Sequence, residues 1–365
     1  MSARERILVI RRDNIGDLVL TTPLINALRL AKPDAWIGAL VNTYNAPVLA
    51  GNPDLDAVYA YDKAKHQPDR YRAAVLFDTT KLLFSLRRLH MDHVILAGPG
   101  AQRQAYALAR WIAPGVMTGF VTPEFTPAGI TMPVAYGGAG AQLHEAEDVF
   151  RLLAPFGVGG RSPGSVGNTQ GAVTALPPCA VYADKTVVVQ WRTRIVPLCD
   201  SAAPLIAVHL SARRVKQRWP AARFAEAMRL LQERHGARFV LLWSPGAPDD
   251  ARHPGDDAKA REVIDILPKE FPVVACPTQQ LPDLIAVLSL ADAVICADGG
   301  AMHLAAGLGK PIVALFGDSP STRWRPWGVA HEVVQAPNGD VAQLAISDVL
   351  AAWDRLAPRV AAIQA

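Results

Sequence analysis

The residues best suited to chemistry stand near position 300, where a pattern typical of a buried strand runs into a glycine-rich turn. Glycines at such a junction let the backbone come close to a ligand, and the start of a helix presents free N–H groups and a partial positive charge. The turn therefore predicts a phosphate-binding corner, although its carboxylate also suits a simple helix cap. The residues of the predicted corner are Asp298, Gly299, Gly300, Ala301 and His303.

A second candidate is the polar turn 11–17, which follows the apolar run 7–10. Asp17 stands where a helical pattern begins, and an ionised carboxylate there can accept the proton of an attacking hydroxyl group. The same position also suits a helix cap, so the sequence leaves both roles open. Asp13 is the nearest alternative carboxylate.

A cationic turn, residues 213–218, precedes Trp219 and Pro220 in the second half of the chain. Cations in this turn would stabilise an anionic leaving group, and we expect Lys216 to do so, with Arg218 beside it. Gln279 lies in another polar segment, which is expected either to contact the base of a nucleotide or to be a solvated loop.

The composition is that of an ordinary globular protein, with 365 residues, 50% hydrophobic and 19% charged side chains, which is enough for two domains. The net charge is +4, an excess too small to indicate nucleic-acid binding. Between positions 61 and 110, however, the sequence has nine cationic residues and only four acidic ones. This segment indicates either an anionic partner or a solvated basic surface.

The four cysteines include no Cys-x-x-Cys pair, so we expect a reduced, cytoplasmic protein without a zinc site. No apolar run reaches the roughly 18 residues of a membrane-spanning helix, and no signal peptide is expected. Asp54 and Asp56 match a metal-binding Asp-x-Asp pattern, but they follow Asn52 and Pro53 and are expected to belong to a turn. No P-loop motif is present.

Both halves of the chain alternate strand and helix patterns, which predicts parallel sheets covered on both faces. We therefore expect an α/β protein of two doubly wound, Rossmann-like domains, with ligands at the carboxyl ends of strands. Strands are predicted at 7–10, 35–41, 57–61, 73–77, 93–97, 205–210 and 239–243, and helices at 18–30, 221–235 and 341–356. The expected domains are 1–180 and 205–340, with a linker region at 181–204 and a terminal helical segment at 341–365, which could pack back on the first domain.

Taken in order, the motifs resemble glycosyltransferase family 9, the ADP-heptose heptosyltransferases of the lipopolysaccharide core. The resemblance rests on Ile15-Gly16-Asp17, on the cationic turn that closes on Trp219-Pro220, and on Asp298-Gly299-Gly300 followed by His303. The segment His144-Glu145-Ala146-Glu147 also resembles a mid-chain feature of that family. The family usually has a lysine at the position of Gln217, so the chain departs from the pattern there.

The resemblance implies a GT-B fold, in which two Rossmann-like domains face each other across a cleft. It also implies an inverting, metal-independent transfer without a cofactor, with the nucleotide-sugar donor held mainly by the second domain. Asp17 matches the family's proposed base, and Asp298 and His303 match residues at the donor diphosphate and sugar. An anionic lipopolysaccharide core acceptor would meet the basic segment of the first domain. The acceptor contacts expected there are Lys63, Lys65, Arg70, Arg87 and Arg88.

Several alternatives stay open at this point. The mixed apolar and basic run 81–88 suits peripheral contact with the cytoplasmic face of the inner membrane, or an amphipathic helix packed on its own sheet. The chain could use another nucleotide sugar or glycan acceptor, act as a nucleotide-sugar epimerase, or only bind a nucleotide sugar. A dehydrogenase is disfavoured, because the turn 11–17 holds one glycine instead of the dinucleotide-binding fingerprint.

Overall fold

The computed structural model describes residues 4–62, 69–100, 102–136, 143–158, 176–198, 203–247 and 255–364. The chain divides into two compact units, with the boundary between Cys179 and Ala180. Each unit has its own parallel sheet and its own hydrophobic core. Among the described residues, no helix is long and apolar enough to cross a bilayer.

The first unit is built on a six-stranded parallel sheet. Its strands are β1 (Arg6–Ile10), β2 (Trp36–Asn42), β3 (Ala57–Tyr61), β4 (His93–Leu96), β5 (Val116–Val121) and β6 (Met132–Ala135). They lie in the order β3-β2-β1-β4-β5-β6, so the winding reverses between β1 and β4. Ligands of doubly wound sheets bind at this reversal, outside the carboxyl ends of the strands. The turn that contains Asp17 leaves β1 at this point.

Helices cover this sheet. They are α1 (Ile15–Val19), α2 (Thr22–Ala31), α3 (Asp69–Arg88), α4 (Arg103–Ile112) and α5 (Glu145–Phe150), with 3₁₀ turns at Ala46–Leu49 and Arg151–Phe156. The helix predicted over 18–30 is divided, because α2 starts anew after Thr21 with Pro23 in its first turn. The strand predicted at 73–77 is wrong, since these residues lie within α3. A run of five residues was too short for its periodicity to separate strand from helix.

The second unit repeats the same plan. Its strands are β7 (Leu205–His209), β8 (Arg238–Trp243), β9 (Val273–Pro277), β10 (Ala293–Ala297), β11 (Ile312–Phe316) and β12 (His331–Gln335). They lie in the order β12-β11-β10-β7-β8-β9, so the winding reverses between β7 and β10. The cationic turn follows β7 and the Asp298 corner follows β10. Both predicted donor elements therefore leave the sheet at its reversal.

Helices also cover the sheet of the second unit. They are α6 (Lys185–Ile195), α7 (Ala221–His235), α8 (Asp257–Ile266), α9 (Leu281–Leu290), α10 (Gly300–Gly307), α11 (Ser321–Trp324) and α12 (Ile346–Gln364), with 3₁₀ turns at Val196–Leu198, Val215–Gln217 and Val341–Gln343. Helix α7 has the predicted bounds, and Gly236 ends it in the left-handed conformation, with φ of 64°. Two parallel sheets with covering helices confirm the expected α/β class.

Helices α6 and α12 lie in the expected linker region and in the expected terminal helical segment, and both make contacts within the second unit. Helix α6 lies within the expected linker region, yet its Trp191 Nε1 donates a hydrogen bond to Asp283 Oδ1 of α9 at 3.0 Å. Helix α12 buries Trp353 and Leu356 in the core of the second unit. The apolar face of the terminal helix is thus part of the second unit's own core.

Candidate active site

The carboxyl end of β1 is organised around Arg11, a residue that the sequence analysis did not single out. Its side chain is fully buried. The Nη2 group donates to Asp17 Oδ1 at 3.0 Å and to Glu145 Oε1 at 2.9 Å, and Nη1 donates to the carbonyl of Ala97, directly after β4. Asp13 Oδ2 lies 3.1 Å from Nε. One guanidinium therefore connects both sides of the sheet reversal with α5.

Three carboxylates around Arg11 determine its charge state. Burial opposes the charged form, but the charges of Asp17, Glu145 and Asp13 outweigh burial and raise the pKa of Arg11. Glu145 is itself fully buried, so the Arg11–Glu145 pair is sealed from solvent. Such a pair is costly to break, because the remaining charge has no water to solvate it.

The His144–Glu147 segment is a helix start that delivers Glu145 to Arg11. His144 Nδ1 accepts a hydrogen bond from the amide of Ala146 at 3.2 Å, and Glu147 Oε2 accepts one from the amide of His144 at 2.8 Å. This reciprocal capping begins α5 and fixes the direction in which Glu145 points. The motif was visible in the sequence, but its partner Arg11 was not.

Asp17 lies in the first turn of α1 and is held on both carboxylate oxygens. Oδ1 accepts from Arg11, while Oδ2 accepts from the backbone and side-chain amides of Asn14 at 2.9 and 3.0 Å. Asn14, and not Asp17, is the N-cap residue of the helix. The Asp17 side chain keeps 12% of its surface exposed. The structure thus presents an oriented carboxylate with one edge accessible.

The expected acceptor contacts are only partly within the described residues. Lys63 and Lys65 lie outside them, as does the side chain of Arg70. Arg87 and Arg88 are at the end of α3, and no described contact joins either of them to Asp17. Arg12, which the sequence analysis did not select, lies in the same turn as Asp17 and donates to Tyr61 Oη and to Gln104 Oε1.

The Asp-x-Asp pattern is used structurally. Asp54 Oδ2 accepts from Asn26 Nδ2 at 2.9 Å, and Asp56 forms ion pairs with Arg4 and Arg29 at 2.9 and 2.6 Å. Burial acts to raise the pKa of Asp56, but hydrogen bonds from the Ile37 amide and from the two arginines outweigh burial and lower it. Across the described parts of the chain, no cluster of three or more His, Cys, Asp or Glu side chains is arranged to hold a metal ion.

In the second unit, the predicted phosphate corner is open next to a helix start. The amide of Asp298 donates to the carbonyl of Leu315 at 2.9 Å, which ties the corner to β11. Gly299 is the N-cap of α10, and no atom lies within 4 Å of the position that a Cβ on Gly299 would take. His303 is buried one turn into the helix, with its ring edge-on to Trp324. The corner therefore combines free space with a helix N-terminus.

Gln217 takes the inward position beside this corner. Its Nε2 donates to Asp298 Oδ2 at 3.0 Å and to Ser319 Oγ at 3.2 Å. Burial raises the pKa of Asp298, while the hydrogen bond from Ser319 and the charge of Arg214 act in the opposite direction. A neutral amide thus stands where the family pattern has a lysine.

Lys216 is exposed in the short 3₁₀ turn, and its carbonyl oxygen lies 2.9 Å from the position of a Cβ on Gly317. Only glycine at 317 therefore allows this loop to pack as it does. Arg214, on the other side of the turn, has Nη1 at 3.8 Å from Asp318 Oδ1. The turn presents three exposed cations, Arg213, Arg214 and Lys216, ahead of the buried Gln217.

Arg218 and Gln279 do not contact Asp298 in the structure. Arg218 Nε donates to the carbonyl of Ala212 at 2.9 Å, and its Nη1 lies 3.8 Å from the buried Asp256 Oδ1 at the start of α8. Gln279 is exposed beyond β9, next to Thr278, whose amide donates to the carbonyl of Trp243 at 3.0 Å. Both residues lie toward the β8–β9 side of the sheet.

Two further titratable groups meet at the end of β7, the buried His209 and the half-buried Lys259 of α8. Lys259 Nζ donates to the carbonyl of Leu210 at 2.9 Å, and burial lowers the pKa of Lys259 to about 8. Burial, together with the charge of Lys259, lowers the pKa of His209 to about 4. A histidine that ends a strand pattern was the only sequence signal for this pair.

The chain is similar to known proteins in both sequence and fold. Residues 184–353 match the family model described as "Glycosyltransferase family 9 (heptosyltransferase)". Lipopolysaccharide heptosyltransferase 3 from Escherichia coli strain K12 is 26% identical over 321 residues, which cover 86% of this chain and 82% of that protein.

Solved structures share the fold. A family 9 glycosyltransferase from Veillonella parvula superposes with a TM-score of 0.80 at 20% identity, over 98% of this chain and 99% of its own. The ADP-heptose heptosyltransferase II of E. coli superposes with a TM-score of 0.73 at 18% identity, over 97% of this chain and 99% of its own. These likenesses confirm the expected GT-B fold class.

Proposed function

We propose that the chain is a glycosyltransferase of family 9, whose family model matches residues 184–353, and that it transfers a heptose from ADP-heptose to a lipopolysaccharide core acceptor. The observation that carries the proposal is the Asp298 corner. There β10 ends at the sheet reversal, a helix begins, and the space beside Gly299 is open. The named functions of the E. coli relatives support the choice of heptose and core acceptor.

In the proposed reaction, a hydroxyl oxygen of the acceptor attacks the anomeric carbon of the donor. The bond from that carbon to the phosphate oxygen breaks, the configuration inverts, and ADP leaves. Asp17 takes the hydroxyl proton as the new bond forms, since its carboxylate is oriented by Arg11 and Asn14 and keeps an exposed edge. No metal or cofactor takes part in the proposed step.

The second unit would stabilise the departing diphosphate. The first turn of α10 offers the N–H groups of Gly300 and Ala301 and the positive end of the helix dipole. Asp298 and His303 would orient the donor, with Arg218 and Gln279 toward the nucleoside. Lys216 is the cation that we assign to the leaving group, because Gln217 carries no charge. Arg214 is a second cation of the same loop, and its charge acts on Asp298.

The acceptor is proposed to be an anionic core glycan that the basic segment of the first unit binds. Arginine and lysine suit its carboxylates and phosphates. Peripheral contact with the membrane that carries such a lipid-linked acceptor belongs to the same proposal.

The test is a ligand panel followed by a transfer assay. ADP-heptose should raise the unfolding temperature more than UDP- or GDP-sugars, and heptose should then appear on truncated core acceptors. A larger shift with a UDP- or GDP-sugar would overturn the choice of donor. Conversion of the donor sugar without any acceptor would identify an epimerase instead.

A further inference from the structure

Helix α3 carries an unusual solvent face. It spans 20 residues, about 30 Å at 1.5 Å per residue. Leu83 and Leu86 are buried against the first sheet, as an amphipathic helix requires. Phe77 and Phe84, however, are 69% and 55% exposed on the other side. The helix is therefore apolar on its packed side and aromatic on its free side.

The aromatic residues alternate with cations at helical spacing. Phe77, Lys81, Phe84 and Arg88 recur every three or four residues and so share one stripe of the helix. The guanidinium of Arg88 lies over the ring of Phe84 at 4.7 Å. This cation and this ring are therefore within cation–π distance of each other.

Helix α4 extends this surface. Arg87 Nη1 donates to the carbonyl of Trp111 at 3.0 Å, so the end of α4 adjoins the end of α3. The Trp111 side chain is 61% exposed and follows the exposed Arg110. We call the combined surface the aromatic–basic face. It comprises Phe77, Lys81, Phe84 and Arg88 of α3 and Arg110 and Trp111 of α4.

The charge of the two helices is strongly one-sided. Among residues 73–88 and 103–112, five cations accompany one acidic residue, Asp78. Three large aromatic side chains on this surface are exposed to solvent. Exposed apolar groups of this size mark a site of interaction with a protein, a membrane or a ligand. Aromatic rings beside cations suit a bilayer interface. The rings lie at the level of the headgroups, and the cations contact anionic lipids.

We infer that the aromatic–basic face docks the protein on an anionic lipid surface. This inference deepens the proposed function, because it names the surface that would bring the enzyme to a lipid-linked acceptor. The rings would insert at the level of the headgroups, while Lys81, Arg88 and Arg110 contact lipid phosphates. The contact is peripheral and should weaken at high salt, since exposed charges are screened.

The experiment is co-sedimentation of the full chain with vesicles, without donor or acceptor. Vesicles of phosphatidylcholine with about 30% phosphatidylglycerol should bind it at low salt, and pure phosphatidylcholine vesicles should bind it weakly. The triple variant Phe77→Gln, Phe84→Gln, Trp111→Gln should lower the partition coefficient at least about tenfold. A matched control replaces three exposed apolar residues elsewhere, Val189→Gln, Ile264→Gln and Ile266→Gln, and should bind like the parent protein.

A second variant, Lys81→Glu with Arg110→Glu, gives an independent answer if the aromatic triple variant unfolds. It should also lose binding to anionic vesicles. Parent protein that stays unbound, or either variant that binds as tightly as the parent, would overturn the inference. The parent protein could instead self-associate without binding vesicles. If only the aromatic triple variant abolished this self-association, the face would be a protein contact, and the inference would be overturned.

The outcome is separable from the proposed function. Donor-induced stabilisation and transfer to a water-soluble core acceptor should be unchanged in the aromatic triple variant. If the protein binds vesicles but shows no transfer, only the proposed function fails.

Discussion

Arg11 and Asp17 are joined by a hydrogen bond of 3.0 Å at the reversal of the first sheet, and the same guanidinium nitrogen donates to Glu145 at 2.9 Å. The pairing leaves Asp17 little freedom to rotate, because Asn14 holds its other oxygen. An oriented carboxylate is what proton transfer in a bond-forming step requires. Arg11 therefore acts through Asp17 as a positioning residue in the proposed mechanism.

Arg11→Met should destabilise the first unit strongly. The substitution leaves Glu145 buried without a counter-charge, so the free energy of unfolding should fall by about 3–5 kcal/mol. Urea denaturation measures the loss. The control is Arg355→Met, which breaks an exposed pair with Glu332 and should cost about 1 kcal/mol or less. Equal losses of unfolding free energy in the two variants would show that the buried network stabilises the fold no more than an exposed ion pair does.

Gly299→Ala should leave the fold intact and weaken donor binding. The added methyl group meets no protein atom within 4 Å, so stability should be near that of the parent, but the methyl group occupies the open space beside the helix start. The Kd of the donor should rise at least about tenfold, as calorimetry can measure. Gly255→Ala is the contrasting variant, because its Cβ would lie 2.2 Å from the backbone of Gly246 and should destabilise the protein. Unchanged donor affinity in Gly299→Ala would place the diphosphate elsewhere.

Lys216→Ala should lower kcat by about 100-fold if this cation stabilises the leaving diphosphate. Adding Gln217→Lys should restore part of the loss, because the inward position would then carry a charge beside Asp298 and Ser319. Arg213→Ala, an exposed neighbour in the same turn, is the control. If Arg214→Ala lowers kcat while Lys216→Ala does not, the assignment of Lys216 is wrong.

His209 should make stability depend on pH in the acid range. Its pKa is lowered from 6.5 to about 4 in the folded chain, so the unfolded chain binds the extra proton as pH falls from 6.5 to 4. Stability should therefore fall across that window, by about 3 kcal/mol from this residue alone. His209→Asn should flatten the dependence, whereas His235→Asn, a more exposed histidine, should not. If the free energy of unfolding falls equally steeply with decreasing pH in the parent and in His209→Asn, His209 is not the source of the dependence.

The sequence predicted most of the architecture because local patterns determined it. The apolar runs of β1, β7 and β10 are buried almost throughout, and Gly236 ends α7 as expected. The segment 73–77 failed because a short apolar run on a surface helix imitates a strand. Phe77, one of the apolar residues on which that prediction rested, is exposed in the structure and belongs to the aromatic–basic face.

The site was less predictable, because its contacts join distant parts of the chain. Arg11 and Glu145 are separated by 134 residues, and no local pattern pairs them. The inward position of Gln217 likewise depends on Asp298 and Ser319, which the fold brings to it. Asp17 could be located from its turn alone, but Asn14 as the true cap residue required the structure.

The most direct test of the account compares Asp17→Asn with Asp13→Asn for transfer of heptose and for donor binding. Both carboxylates lie beside Arg11, so the two variants perturb the same cluster. We predict that Asp17→Asn reduces kcat by about 1,000-fold or more with donor Kd nearly unchanged, while Asp13→Asn keeps most of its activity. Near-normal turnover in Asp17→Asn would contradict the account.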